Sequence, residues 1–265
     1  MKKLILLLLV IPSLSYGQGN TYTLNGVTLT QKRTASGIGY WEWGTSPNVV
    51  VFLHGIDQRG NGTTDMEKLL SEGPFGRNGW GTFTWKYPEL FKRTDIKIIT
   101  PQLPTSRSTW DAAYIDQFLD EVHFGEPLML MGWSLGGGGA LRYANQVNPK
   151  HKVTMVVGLA SAINEKGTNI KIPYRLAHST NDRIVNISQT DNFVTGIPNY
   201  DPSRYERMTS GDHWGPLQLC GRMEIYDEFV SLAKPVVVPV EVEGKIVRIG
   251  QDIYAVFGNE KIKLN

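Results

Sequence analysis

Ser134 stands in Gly132-Trp133-Ser134-Leu135-Gly136, behind the apolar run Leu128-Met129-Leu130-Met131 and ahead of Gly137-Gly138-Gly139-Ala140-Leu141-Arg142-Tyr143-Ala144, which reads as a helix. Strand, Gly-x-Ser-x-Gly and helix, in that order, describe a nucleophile elbow: the serine sits on a strained turn that holds its hydroxyl above a sheet. The glycines are expected where side chains would crowd that turn, or where the helix packs close to its neighbours. A hydroxyl is a poor nucleophile until a base takes its proton, and the base needs an acid to hold its tautomer and stabilise its charge. For a serine on this kind of turn, acid and base follow in the order Asp or Glu, then His.

Three histidines come after Ser134. His151, in Pro149-Lys150-His151-Lys152, enters a strand at its amino end and is expected on the solvated surface; His178 closes a strand at the correct end but precedes every convincing acid. His213, in Ser210-Gly211-Asp212-His213-Trp214-Gly215, is therefore the expected base. For the acid, Asp182 follows a strand expected at 172–177, and a loop at the carboxyl end of a sheet strand can reach the other groups. Asp182 would serve equally well as the cap of a helix starting near Ile184; taken with Ser134 and His213 in chain order, the catalytic role is favoured. Asp212 is the spare acid, but adjacency to His213 makes a side-chain bond between them awkward. The backbone N–H groups of Ile56 and Leu135 are the expected oxyanion-hole donors, Ile56 because it follows a strand that ends in His54-Gly55.

Positioning such groups requires a core, and 265 residues with 41% hydrophobic content suffice for one globular α/β domain. A net charge of +2 without a basic run argues against nucleic acid as a partner. Lys2-Lys3, the apolar stretch 4–11 and the small residues up to Gly17 read as a signal peptide over 1–17; the stretch is too short to span a bilayer, so no stable membrane insertion is expected. The protein is expected to be exported, to the periplasm or beyond the cell, and Cys220, being alone, leaves it without an internal disulfide.

The segments 22–32 and 38–43 alternate like an exposed antiparallel pair, whereas Asn48-Val49-Val50-Val51-Phe52-Leu53 is continuous and β-branched, as in a parallel strand covered on both faces. Further strands are expected at 96–100, 153–159, 172–177 and 205–208, and helices at 64–70, 110–122, 185–194 and 218–233. About a dozen residues separate the strands at 153–159 and 172–177, too few for an inserted lid domain. The catalytic domain is taken as 18–233. The Val- and Gly-rich residues 234–265 are expected to be a C-terminal β extension, favoured over the start of a second module because they are too few for a core of their own.

The His54-Gly55-Ile56-Asp57-Gln58-Arg59-Gly60 loop, Glu72-Gly73-Pro74, Pro101-Gln102-Leu103-Pro104 with Trp110, the elbow, and the loops around Asp182 and His213 together resemble the α/β-hydrolases. More narrowly, they resemble the lidless exported esterases related to feruloyl and acetylxylan esterases and polyhydroxybutyrate depolymerases. The resemblance spans about residues 20 to 233, and Gln58 stands where many of those relatives carry an acid. It implies an α/β-hydrolase fold, with a mostly parallel sheet and helices on both faces, and serine-dependent ester hydrolysis without metal or other cofactor. Serine peptidase, polyester depolymerase and non-catalytic glycan-binding readings remain as alternatives. Trp133, Trp214 and Trp110 are candidate substrate contacts, since flat rings suit sugar faces or aryl groups. The expected partner is a small-molecule or polymer-linked ester, and the expected state is a monomer.

Overall fold

The computed structural model of the protein describes residues 20–79 and 83–233 and, in the tail, the strand residues 245–249, 252–257 and 260–264. The expected signal peptide at 1–17, Trp80 and the Val-rich run 236–243 lie outside the described residues. The chain divides into two compact units, Met1–Ala233 and Lys234–Asn265.

In the larger unit the alternating N-terminal segments form an antiparallel meander of β1 (Thr21–Leu24), β2 (Val27–Arg33) and β3 (Gly39–Trp43). β4 (Val49–Leu53) is fully buried, as its β-branched run requires. The long connection after it carries a 3₁₀ turn at Ile56–Gln58, another at Met66–Leu70, and a two-residue pair of β5 (Arg77–Asn78) with β6 (Thr84–Trp85). β7 (Lys97–Pro101), β8 (Leu128–Trp133), β9 (Met155–Leu159), β10 (Tyr174–Ser179) and β11 (Tyr205–Met208) complete a nine-stranded sheet in the order β1-β2-β3-β7-β4-β8-β9-β10-β11. From β7 to β11 every neighbouring pair is parallel, so the carboxyl ends of β4, β8, β10 and β11 share one edge.

Strand periodicity divides the core into two layers. Val49, Val51 and Leu53 of β4, with Leu128 and Leu130 of β8, pack beneath α1 (Ala112–Val122), α2 (Leu135–Ala144) and α3 (Ser188–Val194). Val50, Phe52, Met129 and Met131 face the opposite layer, with α4 (Met223–Ala233). Each large side chain so covered contributes roughly 2 kcal/mol. Asp111 starts α1 by accepting the Tyr114 N–H at 2.9 Å, which sets its first residue two positions after Trp110.

All four helical segments begin later than the sequence suggests, α4 and α3 by the most. α4 begins at Met223 because a 3₁₀ segment, Gly215–Gly221, precedes it and Arg222 is extended; Gly221 lies against the Tyr87 ring, where a Cβ would overlap. α3 begins at Ser188, and the Ile184 and Val185 amides ahead of it donate to Asp182 in a loop turn. Between β9 and β10 the chain crosses without a helix or strand. In the smaller unit β12 (Lys245–Ile249), β13 (Asp252–Phe257) and β14 (Glu260–Leu264) form an antiparallel meander. Among the described residues no helix is long and apolar enough to cross a membrane.

Candidate active site

Ser134 leaves β8 with φ 56° and ψ −118°, a left-handed conformation that costs a non-glycine residue on the order of 1–3 kcal/mol. Its surroundings impose that conformation. The Ser134 N–H donates to Leu159 O at 2.8 Å, and its carbonyl accepts the Gly138 and Ala162 amides at 3.0 Å each. A Cβ on Gly132 would overlap the Gly136 carbonyl, and one on Gly136 would overlap the Leu53 carbonyl, so the spacing of the motif is steric.

Seventy-nine residues later in the chain, the His213 ring meets this serine: Ser134 Oγ lies 2.9 Å from His213 Nε2, and His213 Nδ1 lies 2.7 Å from Asp182 Oδ2. An ionised carboxylate only accepts, so Nδ1 carries the proton and Nε2 is free to accept the serine hydroxyl. The Trp133 indole N–H donates to His213 O at 3.0 Å, and the Asp212 N–H donates to Asn181 Oδ1 at 3.1 Å, tying this loop to the elbow strand and to the Asp182 loop.

The two oxygens of Asp182 serve different partners. Oδ1 accepts the Ile184 and Val185 amides at 2.8 and 2.9 Å, while Oδ2 takes His213. The two roles open to Asp182 in the sequence are thus both filled by one side chain, with a loop turn in place of a helix cap. Burial works to raise its pKa, but the His213 bond and the Val185 and Ile184 amides outweigh it and hold the carboxyl below its ordinary value. A second ring, His178, also reaches Oδ2, at 3.1 Å. Nothing in the spacing of the sequence distinguished this contact from a core histidine.

Leu135 N and Ile56 N each occupy the first position of a helical segment, α2 and the 3₁₀ turn after β4, where no carbonyl of the same segment lies behind to accept them. The Ile56 turn is held by His54 and Gln102. His54 Nδ1–H donates to Gly55 O at 2.6 Å, and Nε2 accepts the Leu103 amide at 2.9 Å. Burial pushes the His54 pKa down to about 4. Gln102 Nε2 donates to Gln58 O at 3.0 Å, and its Oε1 accepts the Gly62 amide at 2.8 Å. The Arg59 guanidinium donates to backbone carbonyls, Ile56 O at 3.0 Å and Arg107 O at 2.9 Å.

The three candidate tryptophans separate by burial. Trp110 is 1% exposed, donates to His54 O at 3.0 Å and packs its ring edge-on to His54; it presents no face to a substrate. Trp133 is 3% exposed, its ring 5.0 Å from that of His213, and supports the base rather than a ligand. Only Trp214, 48% exposed, offers an open ring face. It borders a groove of about 500 Å³ whose walls include Glu72, Lys86, Met208 and Gln218. His151, expected in solvent, is instead mostly covered and bonded to Asp120 and His123.

No family model and no curated protein matches the chain. Solved structures do. It is similar to a thermostable esterase (TM-score 0.55, 16% identity, 77% of this chain and 62% of that one). It is also similar to an α/β-hydrolase enzyme from the metagenome of lagoon sediments at Mar Chica, Morocco (TM-score 0.53, 16% identity, 76% and 97%), and to the monoacylglycerol lipase of Paleococcus ferrophilus (TM-score 0.50, 15% identity, 74% and 99%). The chain thus spans less than two thirds of the length of the thermostable esterase. With its mostly parallel nine-stranded sheet, helices on both faces and a serine at the turn between β8 and α2, the protein has the α/β-hydrolase fold.

Proposed function

We propose that the protein is a serine-dependent carboxylic ester hydrolase of exported type, acting on carbohydrate-linked or polymer-derived esters. The observation that carries this reading is the unbroken chain of contacts from Ser134 Oγ to His213 at 2.9 Å and from His213 to Asp182 at 2.7 Å. His213 takes the serine proton as Oγ attacks the ester carbonyl, and the alcohol leaves with that proton. His213 then activates water to release the acid from the acyl-enzyme. Asp182 holds the imidazole and stabilises its charge. Leu135 N–H and Ile56 N–H donate to the oxyanion, each worth about 3 kcal/mol in the transition state. No step needs a cofactor.

The substrate class is supported by the short crossing between β9 and β10, which leaves no lid domain, and by the exposed Trp214 ring beside a polar groove. Export is supported by the composition of residues 1–17. The decisive measurement is labelling by a fluorophosphonate, followed by turnover of acyl and aryl nitrophenyl esters beside peptide anilides. Wild type is expected to incorporate the probe and Ser134→Ala to lose it, with esters turned over faster than anilides. Equal, negligible labelling of both proteins would make this a binding module, and faster anilide turnover would make it a peptidase.

A further inference from the structure

His178 is fully buried at the end of β10, and each of its ring nitrogens has a partner. Nε2 faces two oxygens that can only accept, Asp182 Oδ2 at 3.1 Å and Val185 O at 2.9 Å, so Nε2 must carry a proton. Nδ1 faces the Thr190 hydroxyl of α3 at 2.8 Å. Desolvation, helped by the nearby His213 ring, lowers the pKa of this group against the opposing pull of the Val185 carbonyl and Asp182. A neutral ring therefore donates through Nε2 and accepts from Thr190 through Nδ1. The Asp182 N–H donates to Ser179 O at 3.2 Å, closing the tight turn that carries Asp182 back over the ring four residues behind it. The titratable groups facing His178 are Asp182 and His213; its register neighbour on β11, Arg207, is paired with Asp191 of α3.

We propose that His178 is a positioning residue of the reaction: its Nε2–H, aimed at the same Asp182 oxygen that receives His213, fixes the carboxylate and draws off part of its charge. The proposal rests on the hydrolase reading above. Oδ2 then holds two ring N–H donors and Oδ1 two amides, so the carboxylate cannot rotate away from His213. A neutral donor suits this place. A charged one would repel the imidazolium that forms on His213 during attack, whereas an apolar residue would leave the whole charge of Oδ2 to His213 and make it harder to deprotonate. A histidine that merely filled the core would stabilise the fold and leave the kinetics alone.

The test compares His178→Phe, His178→Gln and Thr190→Val with wild type, reading kcat and KM for a nitrophenyl ester across pH and the rate of fluorophosphonate labelling. In His178→Phe, kcat is expected to fall roughly tenfold, the size of one lost bond to a charged group. KM should hold within about twofold, and the acid limb of kcat/KM should move up by about half a pH unit. His178→Gln, which keeps a donor near Nε2, should return both toward wild type. Folded His178→Phe with wild-type kcat and pH profile overturns the proposal. If His178→Phe does not fold, Thr190→Val decides: a smaller shift of the acid limb in the same direction supports the role, and an unmoved limb overturns it. A wild type that labels no better than Ser134→Ala refutes the hydrolase reading itself, a different failure from wild-type behaviour in the His178 and Thr190 variants.

Discussion

At the carboxyl edge of the sheet, His178 and His213 both turn a ring N–H toward one oxygen of Asp182, which is wholly buried; at the amino edge, before β8 and β9, His123 and His151 turn their Nδ1 atoms toward each other, 3.1 Å apart. The outer nitrogens of that second pair are committed, His123 Nε2 to Glu126 O at 2.6 Å and His151 Nε2 to Asp120 at 2.9 Å. Asp120 sits in solvent beside Lys150, and bonds from Lys150 and His151 hold its carboxyl below its usual range. The same residue types thus produce two outcomes. Where the carboxylate is buried and central, it fixes the proton on His213 Nδ1 and leaves Nε2 for chemistry; where it is peripheral and wet, the rings spend their free nitrogens on each other.

Matched substitutions at the two edges test this contrast most severely. Asp182→Asn should lower kcat by about 10⁴-fold, because an amide can present its N–H to His213 and impose the wrong tautomer. Asp120→Asn and His151→Gln should leave kcat/KM within about twofold. Comparable losses at both edges would break the comparison.

A smaller effect separates the edges by stability. The folded pKa of His54 is depressed to about 4, and that of His178 is depressed as well. Above pH ~6.5 these rings are neutral in both states and their contribution is complete. As pH falls below that value, the unfolded chain takes up protons that the folded form refuses, and stability drops until the folded pKa is passed. For His54 the loss approaches about 3 kcal/mol near pH 4. Asp182, whose folded pKa is lowered, adds a further loss only below the ordinary carboxylate range. Urea midpoints at several pH values should show this decline in wild type, and a shallower one between pH ~6.5 and ~4 in His54→Gln. Identical slopes would mean that His54 does not refuse the proton.

The smallest expected change concerns the rim of the site. Trp214→Ala should raise KM for aryl or glycosyl esters by several fold, on the order of 1 kcal/mol, with kcat nearly unchanged. Trp133→Phe, which removes the donor to His213 O, should instead lower kcat. The reverse pattern would move the substrate to the other side of the base.

The elements around Ser134 were legible because their signals are local. Continuous apolar runs mark buried parallel strands, and the glycine spacing follows from carbonyls that a Cβ would strike. The order of Ser134, Asp182 and His213 could be read for the same reason, each standing just past a strand. What escaped depends on contacts distant in sequence. In the chain His178 is set apart from His213 because it precedes the acid, and only the return of the Asp182 turn over β10 brings both rings to one oxygen. Trp110, Trp133 and Trp214 are equally aromatic, yet two are consumed in holding His54 and His213. The start of α4 was misplaced because Gly221 answers to the Tyr87 ring, 134 residues earlier.

The left-handed backbone at Ser134 carries a consequence for how this protein can be stabilised. Glycine is the residue that would relax that torsion, and glycine has no side-chain hydroxyl to offer. Stability gained by relaxing this turn would therefore remove the hydroxyl on which the proposed reaction depends, and selection for robustness alone would drift toward an inert protein.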